Sequence, residues 1–378
     1  MAKQDISNEQ ENNGRKVNKK WWHIPFLLLL CAGTIYVIRT NNTTGNSTSG
    51  MHESAAIGEA WNDADIQKCS GSVFGTEYHI TYQNGGDIHN ELKEVMADVD
   101  NSLSPFNKES VITAINNGNN VEADSMFTEV FDMAKNVAEE TQGAFDITVA
   151  PLVNAWGFGF KNKIDVSKEK IDSIRKYVGF EKVRMENGKV IKEDKNIMLD
   201  CSAIAKGYGV DAVGRYLEKK KIRNYMVEIG GEIRVKGCNP EGRLWKVGIS
   251  KPIDDSLNVN GEIQEVLMVS DIAIATSGNY RNFYIKDNKK YAHTIDPRTG
   301  YPVQHSILSS TVVAPTCALA DAYATSFMVV GLDEAKKILA RHKELQAYFI
   351  YTDSKGKMST WCTKDLEDNL MKYSQKRN

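Results

Sequence analysis

Apolar positions along this chain follow three different rhythms, and each predicts a different kind of element. Residues 24–38, IPFLLLLCAGTIYVI, form an uncharged apolar run with no polar break. Between 88 and 104, Leu92, Val95, Met96 and Val99 fall three and four apart, which predicts one buried face of a helix. FTEVFDMAKNVAEETQG (127–143) repeats that spacing and closes on Gly143, the expected C-cap. AIAKGYGVDAVGRYLEKKK (203–221) predicts a helix whose lysine-rich end suits the helix dipole. CALADAYATSFMVVG (317–331) predicts an apolar helix, followed by another at 333–342. Strand patterns occur at 70–83, where Gly75 is expected at a bulge or a close approach, and at 197–201 and 245–249. Residues 225–237 read as two strands joined at Gly230-Gly231, and 282–295 as strand around a DNKK hairpin turn. Strands and helices mix without a βαβ alternation or a solenoid repeat, so an α+β fold is predicted: a single catalytic domain of mixed sheets and helices, 61–366.

Flanking residues turn the apolar run into a membrane anchor. With Trp21, Trp22 and His23 it reaches 18 residues, close to the ~20 that span a bilayer. Lys3, Arg15, Lys16, Lys19 and Lys20 precede it and only Arg39 follows closely, which predicts a cytoplasmic tail (1–20), a transmembrane or signal anchor (21–39) and everything beyond outside. The expected location is the inner or cytoplasmic membrane, single-pass, with the catalytic domain facing the periplasm or cell surface. LLLC (28–31) leaves a second possibility, a lipoprotein modified at Cys31, and cleavage as a signal peptide is a third. NNTTGNSTSG (41–50) offers nothing apolar to pack, so 40–60 is expected as a flexible linker, and 367–378 as a tail.

Charge and cysteine content narrow the classes. Lys and Arg total 47 against 49 Asp and Glu, which excludes a basic nucleic-acid surface. The six cysteines form no CxxC pair and no Cys/His cluster, so a structural zinc site is excluded; the five outside the anchor leave room for one or two bridges.

Four segments carry candidate chemistry. Asp321 sits among alanines, leucine and tyrosine, where a carboxylate is costly unless paired or metal-bound, and Thr325 lies one helical turn on. Together they supply hard oxygen ligands for a divalent cation; the alternative is an aspartate that bonds a neighbouring loop. In HTIDPRTGYP (293–302), Asp-Pro and Thr-Gly predict a tight turn that fixes His293 and Arg298 on its flanks, with His293 a candidate base or phosphate contact. LDCSAIAKG (199–207) runs from strand to helix, and Asp200 and Lys206 either face a ligand there or cap and solvate the helix start. GAFDITVAPLVNAWGFG (143–159) joins Asp146 to aromatics and glycines, and neither GFGF nor GYGV completes a dinucleotide fingerprint.

Together and in order, FGTEY (74–78), LSPFNKESVITAIN (103–116), GAFDITVAPLVNAWGFG, LDCSAIAKGYGVD (199–211), EIGGEIRVKG (228–237), TSGNYRNF (276–283), HTIDPRTGYP and ADAYAT (320–325) resemble the FAD:protein FMN transferase, or ApbE, family. The resemblance implies Mg²⁺-dependent transfer (one or two ions) of the FMN moiety of FAD onto a threonine hydroxyl of an acceptor protein, releasing AMP. It implies metal ligands at Asp321, Thr325 and the backbone carbonyl of Ala203, and catalytic roles for His293 and Asp321. Flavin nucleotide contacts are implied at Phe74, Phe106, Ala144, Phe145, Asp146, Asp200, Lys206 and Ile295. The implied acceptor is an extracytoplasmic subunit of a membrane redox complex. Phe106 stands where many members have Tyr, and Glu232 where Asp is more usual after the glycine pair. Two other functions fit the same residues: an FAD pyrophosphatase giving FMN and AMP, and a non-enzymatic flavin carrier.

Overall fold

The computed structural model describes residues 55–83, 86–160, 166–252, 263–278, 283–286, 289–304 and 306–372. The expected tail and anchor, with Cys31, most of the linker, the DNKK turn residues 287–288 and the last six residues lie outside these. Among the described residues no helix is long and apolar enough to cross a membrane.

The chain runs β1 (Ile66–Val73), β2 (Thr76–Gln83), α1 (His89–Leu103), α2 (Val111–Asn116), α3 (Ser125–Glu140), α4 (Ala150–Trp156), α5 (Lys168–Arg175), β3 (Val183–Glu186), β4 (Lys189–Lys192) and α6 (Ala205–Lys219). It continues β5 (Tyr225–Ile229), β6 (Glu232–Lys236), β7 (Trp245–Ser250), β8 (Ile263–Val269), β9 (Ile272–Gly278), β10 (Phe283–Lys286), β11 (Lys289–Ala292) and β12 (Ile307–Ala314). It closes with α7 (Cys317–Val330), α8 (Leu332–Arg341), β13 (Gln346–Thr352), β14 (Met358–Cys362), α9 (Lys364–Glu367) and β15 (Leu370–Lys372). Eight strands form one antiparallel sheet in the order β1-β2-β5-β6-β9-β12-β13-β14.

Period-two alternation assigns each face of that sheet a partner. Ala273, Ala275, Val312, Ala314, Ala347 and Phe349 turn toward the helices, while Ile274, Val313, Tyr348 and Ile350 pack against Trp245, Val247 and Leu267 of the small sheet β15-β8-β7. The alanines of β9 keep the helical face shallow, so α7 lies close to the strand. On β6 the same alternation sends Ile233 and Val235 to the small sheet and leaves Glu232 and Arg234 on the helix side.

Those two charges meet α6. Arg234 pairs with Asp211 at 2.9 Å and with Glu218 at 3.0 Å. Asp211 is buried, and its other oxygen accepts the Ala318 N–H at 2.9 Å in the first turn of α7. A carboxylate from one helix therefore caps the next, and losing the arginine would leave a buried charge unpaired at a cost of about 3–5 kcal/mol. One turn back along α6, the Gly207 N–H donates to Asp321 Oδ2 at 3.1 Å. The two helices are thus antiparallel, with 211 beside 318 and 207 beside 321; Ala203 lies in the turn before α6 and Thr325 one turn beyond Asp321 along α7.

Several expectations change. Gly75 is no bulge: Phe74 (φ 50°) and Gly75 (φ 74°) form the two-residue turn between β1 and β2, the left-handed pair that matches strand twist. The expected C-cap Gly143 is one position late. Gln142 (φ 53°) takes the left-handed site after α3, and Gly143 follows it, donating to Ala138 O at 2.8 Å. Residues 197–201 make only a single bridge, Met198 to Val149, because the segment follows the 144–149 turn rather than joining a sheet. Before residue 61, Ile57 already bonds Gly242 O at 2.8 Å, and buried Trp61 meets Trp245 edge-on, so the ordered body starts inside the expected linker. At the other end, β15 falls in the expected tail and pairs with β8. All five described cysteines are free thiols.

The α6–α7 contact depends on a missing side chain. A Cβ at Gly207 would stand 2.2 Å from the Cys317 carbonyl oxygen, backbone that cannot swing aside. Gly207→Ala is expected to destabilise the protein by about 1–3 kcal/mol by forcing the helices apart. A urea unfolding midpoint equal to that of the wild type would show that the junction tolerates the methyl.

Candidate active site

Three groups of candidate residues surround the α6–α7 junction. The first is the junction itself. Asp321 is 5% exposed, and among the described residues its Oδ1 makes no hydrogen bond while Oδ2 takes the Gly207 amide. Thr325 is the residue of its helical turn that reaches solvent, since Ala324 and Ser326 are buried on either side. Ala203 lies in the turn that opens α6, half-buried. Lys206 reaches across to β6 and pairs with Glu232 Oε1.

Electrostatics at this junction are severe. Burial pushes the Asp321 carboxyl above its ordinary range, while Lys206 and the Gly207 amide pull the other way. Burial also raises Glu232, to about 7, with Lys206 opposing and Asp321 adding to the rise. Glu232 is 2% exposed, and its Oε2 is buried with no hydrogen-bond partner. Among the described residues two carboxylates, Asp321 and Glu232, thus act with one ammonium, that of Lys206, a charge balance that favours an added cation.

Among the described residues no group of three or more His, Cys, Asp or Glu side chains gathers as a metal cluster. A set of one carboxylate, one hydroxyl and one carbonyl would not make such a cluster, and it is the oxygen donor type that Mg²⁺ accepts. Asp321 Oδ1, which makes no hydrogen bond among the described residues, the half-buried Thr325 and Ala203 in the turn before α6 offer donors of the type that ion takes.

The second group is the turn 144–148 with its neighbour at 198–200. The Asp200 N–H donates to Ile147 O at 2.7 Å, and its carboxylate accepts the Ser202 N–H at 2.8 Å. Burial raises the Asp200 pKa, against the two Ser202 bonds. Asp146 Oδ1 accepts from both the Thr148 N–H (2.8 Å) and its hydroxyl (2.7 Å). Burial lifts Asp146 to about 6, with the Thr148 and Phe180 bonds opposing. Its carboxylate locks the turn rather than standing open. Phe145 packs its ring into the core with α3 and α7, and Ala144 is buried against Val303 and Val329.

The third group is the loop 293–303. Ile295 is buried with Leu152, Trp156 and Ile171, and the Trp156 indole donates to Gly300 O at 2.8 Å. Arg298 is tied back by both Asp296 oxygens at 3.0 and 3.1 Å, so the expected tight turn forms with its arginine already engaged. His293 lies edge-on to Phe158, ring centroids 6.5 Å apart. Phe106 is 56% exposed and edge-on to Phe160, ring centroids 6.1 Å apart. Phe74, in its strained backbone conformation, rests its ring on the bare face of Gly209 on α6.

The structure joins Lys206, Gly207 and Asp321 at one junction, with Thr325 one turn along α7 and Ala203 in the turn before α6, and links the turn of Asp146 to Asp200 through Ile147. His293 pairs with Phe158, and Phe106 with Phe160. The side chains of Ala144, Phe145 and Ile295 serve the core. Glu232 and Asp211 were given no role in the sequence, although two charges spaced by two in a strand, Glu232 and Arg234, signal a polar stripe on a buried face.

Comparison with known proteins bears on this arrangement. The ApbE family profile matches residues 74–349. The chain is 36% identical over 313 residues to an FAD:protein FMN transferase of Haemophilus influenzae, covering 78% of this chain and 89% of that one. It is 37% identical over 295 residues to the Vibrio cholerae protein of the same name, covering 75% and 87%. Among solved structures, the flavin transferase ApbE from Vibrio cholerae superposes with a TM-score of 0.72 at 32% identity, covering 80% of this chain and 99% of that one. The apo flavinyl transferase ApbE of Pseudomonas stutzeri gives 0.71 at 27%, covering 80% and 96%. The matched span contains the hairpin of Phe74, the α6–α7 junction and the loop of His293, and the chain belongs to the ApbE family.

Proposed function

We propose that this protein transfers the FMN moiety of FAD onto a threonine hydroxyl of an acceptor protein and releases AMP, with Mg²⁺ required. The observation that carries the reading is the α6–α7 junction. There a buried carboxylate keeps one oxygen without a hydrogen bond among the described residues, a half-buried threonine stands one turn on and Ala203 lies in the turn before α6, beside a lysine, within a family whose relatives are named for this transfer.

Asp321, Thr325 and the Ala203 carbonyl would hold Mg²⁺, which when bound neutralises charge developing on the pyrophosphate oxygens. The chain's own residues do the rest. In the transfer, the threonine oxygen bonds to the FMN phosphorus as the bond from that phosphorus to the AMP oxygen breaks. The hydroxyl proton must leave, and His293 on the loop 293–303 is the candidate base. Lys206, held by Glu232, offers positive charge to the phosphates. Phe106 with Phe160, and Phe158 with His293, would supply aromatic walls suited to the flat isoalloxazine ring. Orientation by these walls turns a bimolecular encounter into a positioned attack.

The full-length protein incubated with FAD, Mg²⁺ and a threonine-bearing acceptor is expected to add the mass of FMN to the acceptor, read by intact-mass spectrometry. Asp321→Ala should lower the rate by roughly 10²-fold or more and weaken its Mg²⁺ dependence. His293→Ala should lower it by about 10²–10⁴-fold and leave the Mg²⁺ dependence in place. An unmodified acceptor alongside rapid AMP release would instead identify an FAD pyrophosphatase. Tightly held FAD that is never turned over would identify a carrier.

Residues 15–39 support an outward orientation through their basic flank and apolar run, and the acceptor would then be an extracytoplasmic subunit of a membrane redox complex. External protease on intact or outer-membrane-permeabilised cells is expected to digest the body. Complete protection until the inner membrane is lysed would overturn that orientation.

A further inference from the structure

We propose that Glu232 is the second carboxylate of the cation pocket: Oε1 holds Lys206 in place, and Oε2 accepts a hydrogen bond from the hydration shell of the divalent cation bound at Asp321. The inference rests on the reading of Asp321 given above.

Backbone geometry fixes Glu232 where it stands. Gly230 (φ 62°) and Gly231 (φ 103°) make the tight turn between β5 and β6, and Glu228 Oε1 clamps it by accepting the Gly231 N–H at 2.7 Å. Glu232 is the first residue after that turn, and strand alternation sends its side chain to the helix side. It meets Lys206, the neighbour in sequence of the Gly207 whose amide holds Asp321, so Glu232 stands at the same start of α6.

Its two oxygens then face different fates. Oε1 is taken by Lys206. Oε2 is buried and has no partner, an arrangement that is costly for a carboxylate. Among the described residues no group is placed to relieve it, since the Gly207 amide is committed to Asp321. A phosphate is an acceptor too, and its charge repels the carboxylate. A hydrated divalent cation brings both what the oxygen lacks, an O–H donor, and the charge that two carboxylates beside one ammonium leave unmatched. Mg²⁺ and Mn²⁺ commonly keep several waters in protein sites. Glu232 thus separates the ion from the lysine and keeps Lys206 from occupying the cation's place.

Mn²⁺ binding to the full-length protein without FAD, followed by electron paramagnetic resonance, tests this apart from turnover. Glu232→Gln is expected to weaken Mn²⁺ binding roughly 10–100-fold, the usual scale for outer-shell partners, and Glu232→Asp to restore part of it. An unchanged Mn²⁺ affinity in Glu232→Gln, with Asp321→Ala weakened, would overturn the proposal and leave the reading of Asp321 standing. Unchanged affinity in Asp321→Ala would bring down that reading, and the proposal with it. Should Glu232→Gln not fold, Lys206→Met carries the test: it frees both Glu232 oxygens, and Mn²⁺ binding should tighten by about fivefold or more. Affinity at or below the wild-type value would then count against it.

Discussion

The bond from the Gly207 amide to Asp321 is the constraint on which the rest of this structure turns. It exists only because two helices approach at a glycine, close enough that the amide of one reaches the carboxylate of the other. Asp211 repeats the arrangement one turn on, capping α7 from α6, and Arg234 beneath it pays the desolvation of that carboxylate. Helix position, strand alternation and charge pairing are therefore one device. The alanines of β9 let α7 down onto the sheet, and the polar stripe of β6 meets α6 where the helices cross.

The same device explains why so much charge is tolerated inside the protein. Asp211 and Glu232 each have a cationic partner, and Asp321 has the positive end of α6. Of these, the pairing of Asp211 is complete and structural. That of Glu232 is half made, and Asp321 keeps one oxygen in reserve. Structural carboxylates and those held ready for chemistry can be told apart by counting their filled acceptor positions.

Much of this was legible in the sequence where a residue type contradicted its surroundings. Asp321 in an alanine-rich helix and the paired glycines before Glu232 stand out in this way, and the helices at 89–103, 205–219 and 317–330 follow from their apolar spacing. Strands β9, β12 and β13 do not, because they are covered on both faces and lose the polar alternation that marks a strand. The true C-cap of α3 was hidden because glutamine, not glycine, occupies the left-handed position. The role of Asp146 depends on Thr148 and on Phe180, far along the chain, which no local pattern reveals. The seating of Phe145 and Ile295 in the core likewise depends on partners distant in sequence.

The strand order of the large sheet bears on how this chain comes into being. Three of its inner pairings join separated stretches of sequence, β2 to β5, β6 to β9 and β9 to β12, and four of its eight strands begin beyond residue 270. Pairings of such range form slowly, since long loops must close before the contacts reward them. While the ribosome is still making the first two-thirds, β6 has no β9 beside it and the helix carrying Asp321 does not yet exist. The α6–α7 junction can therefore close only after residue 330 has been made.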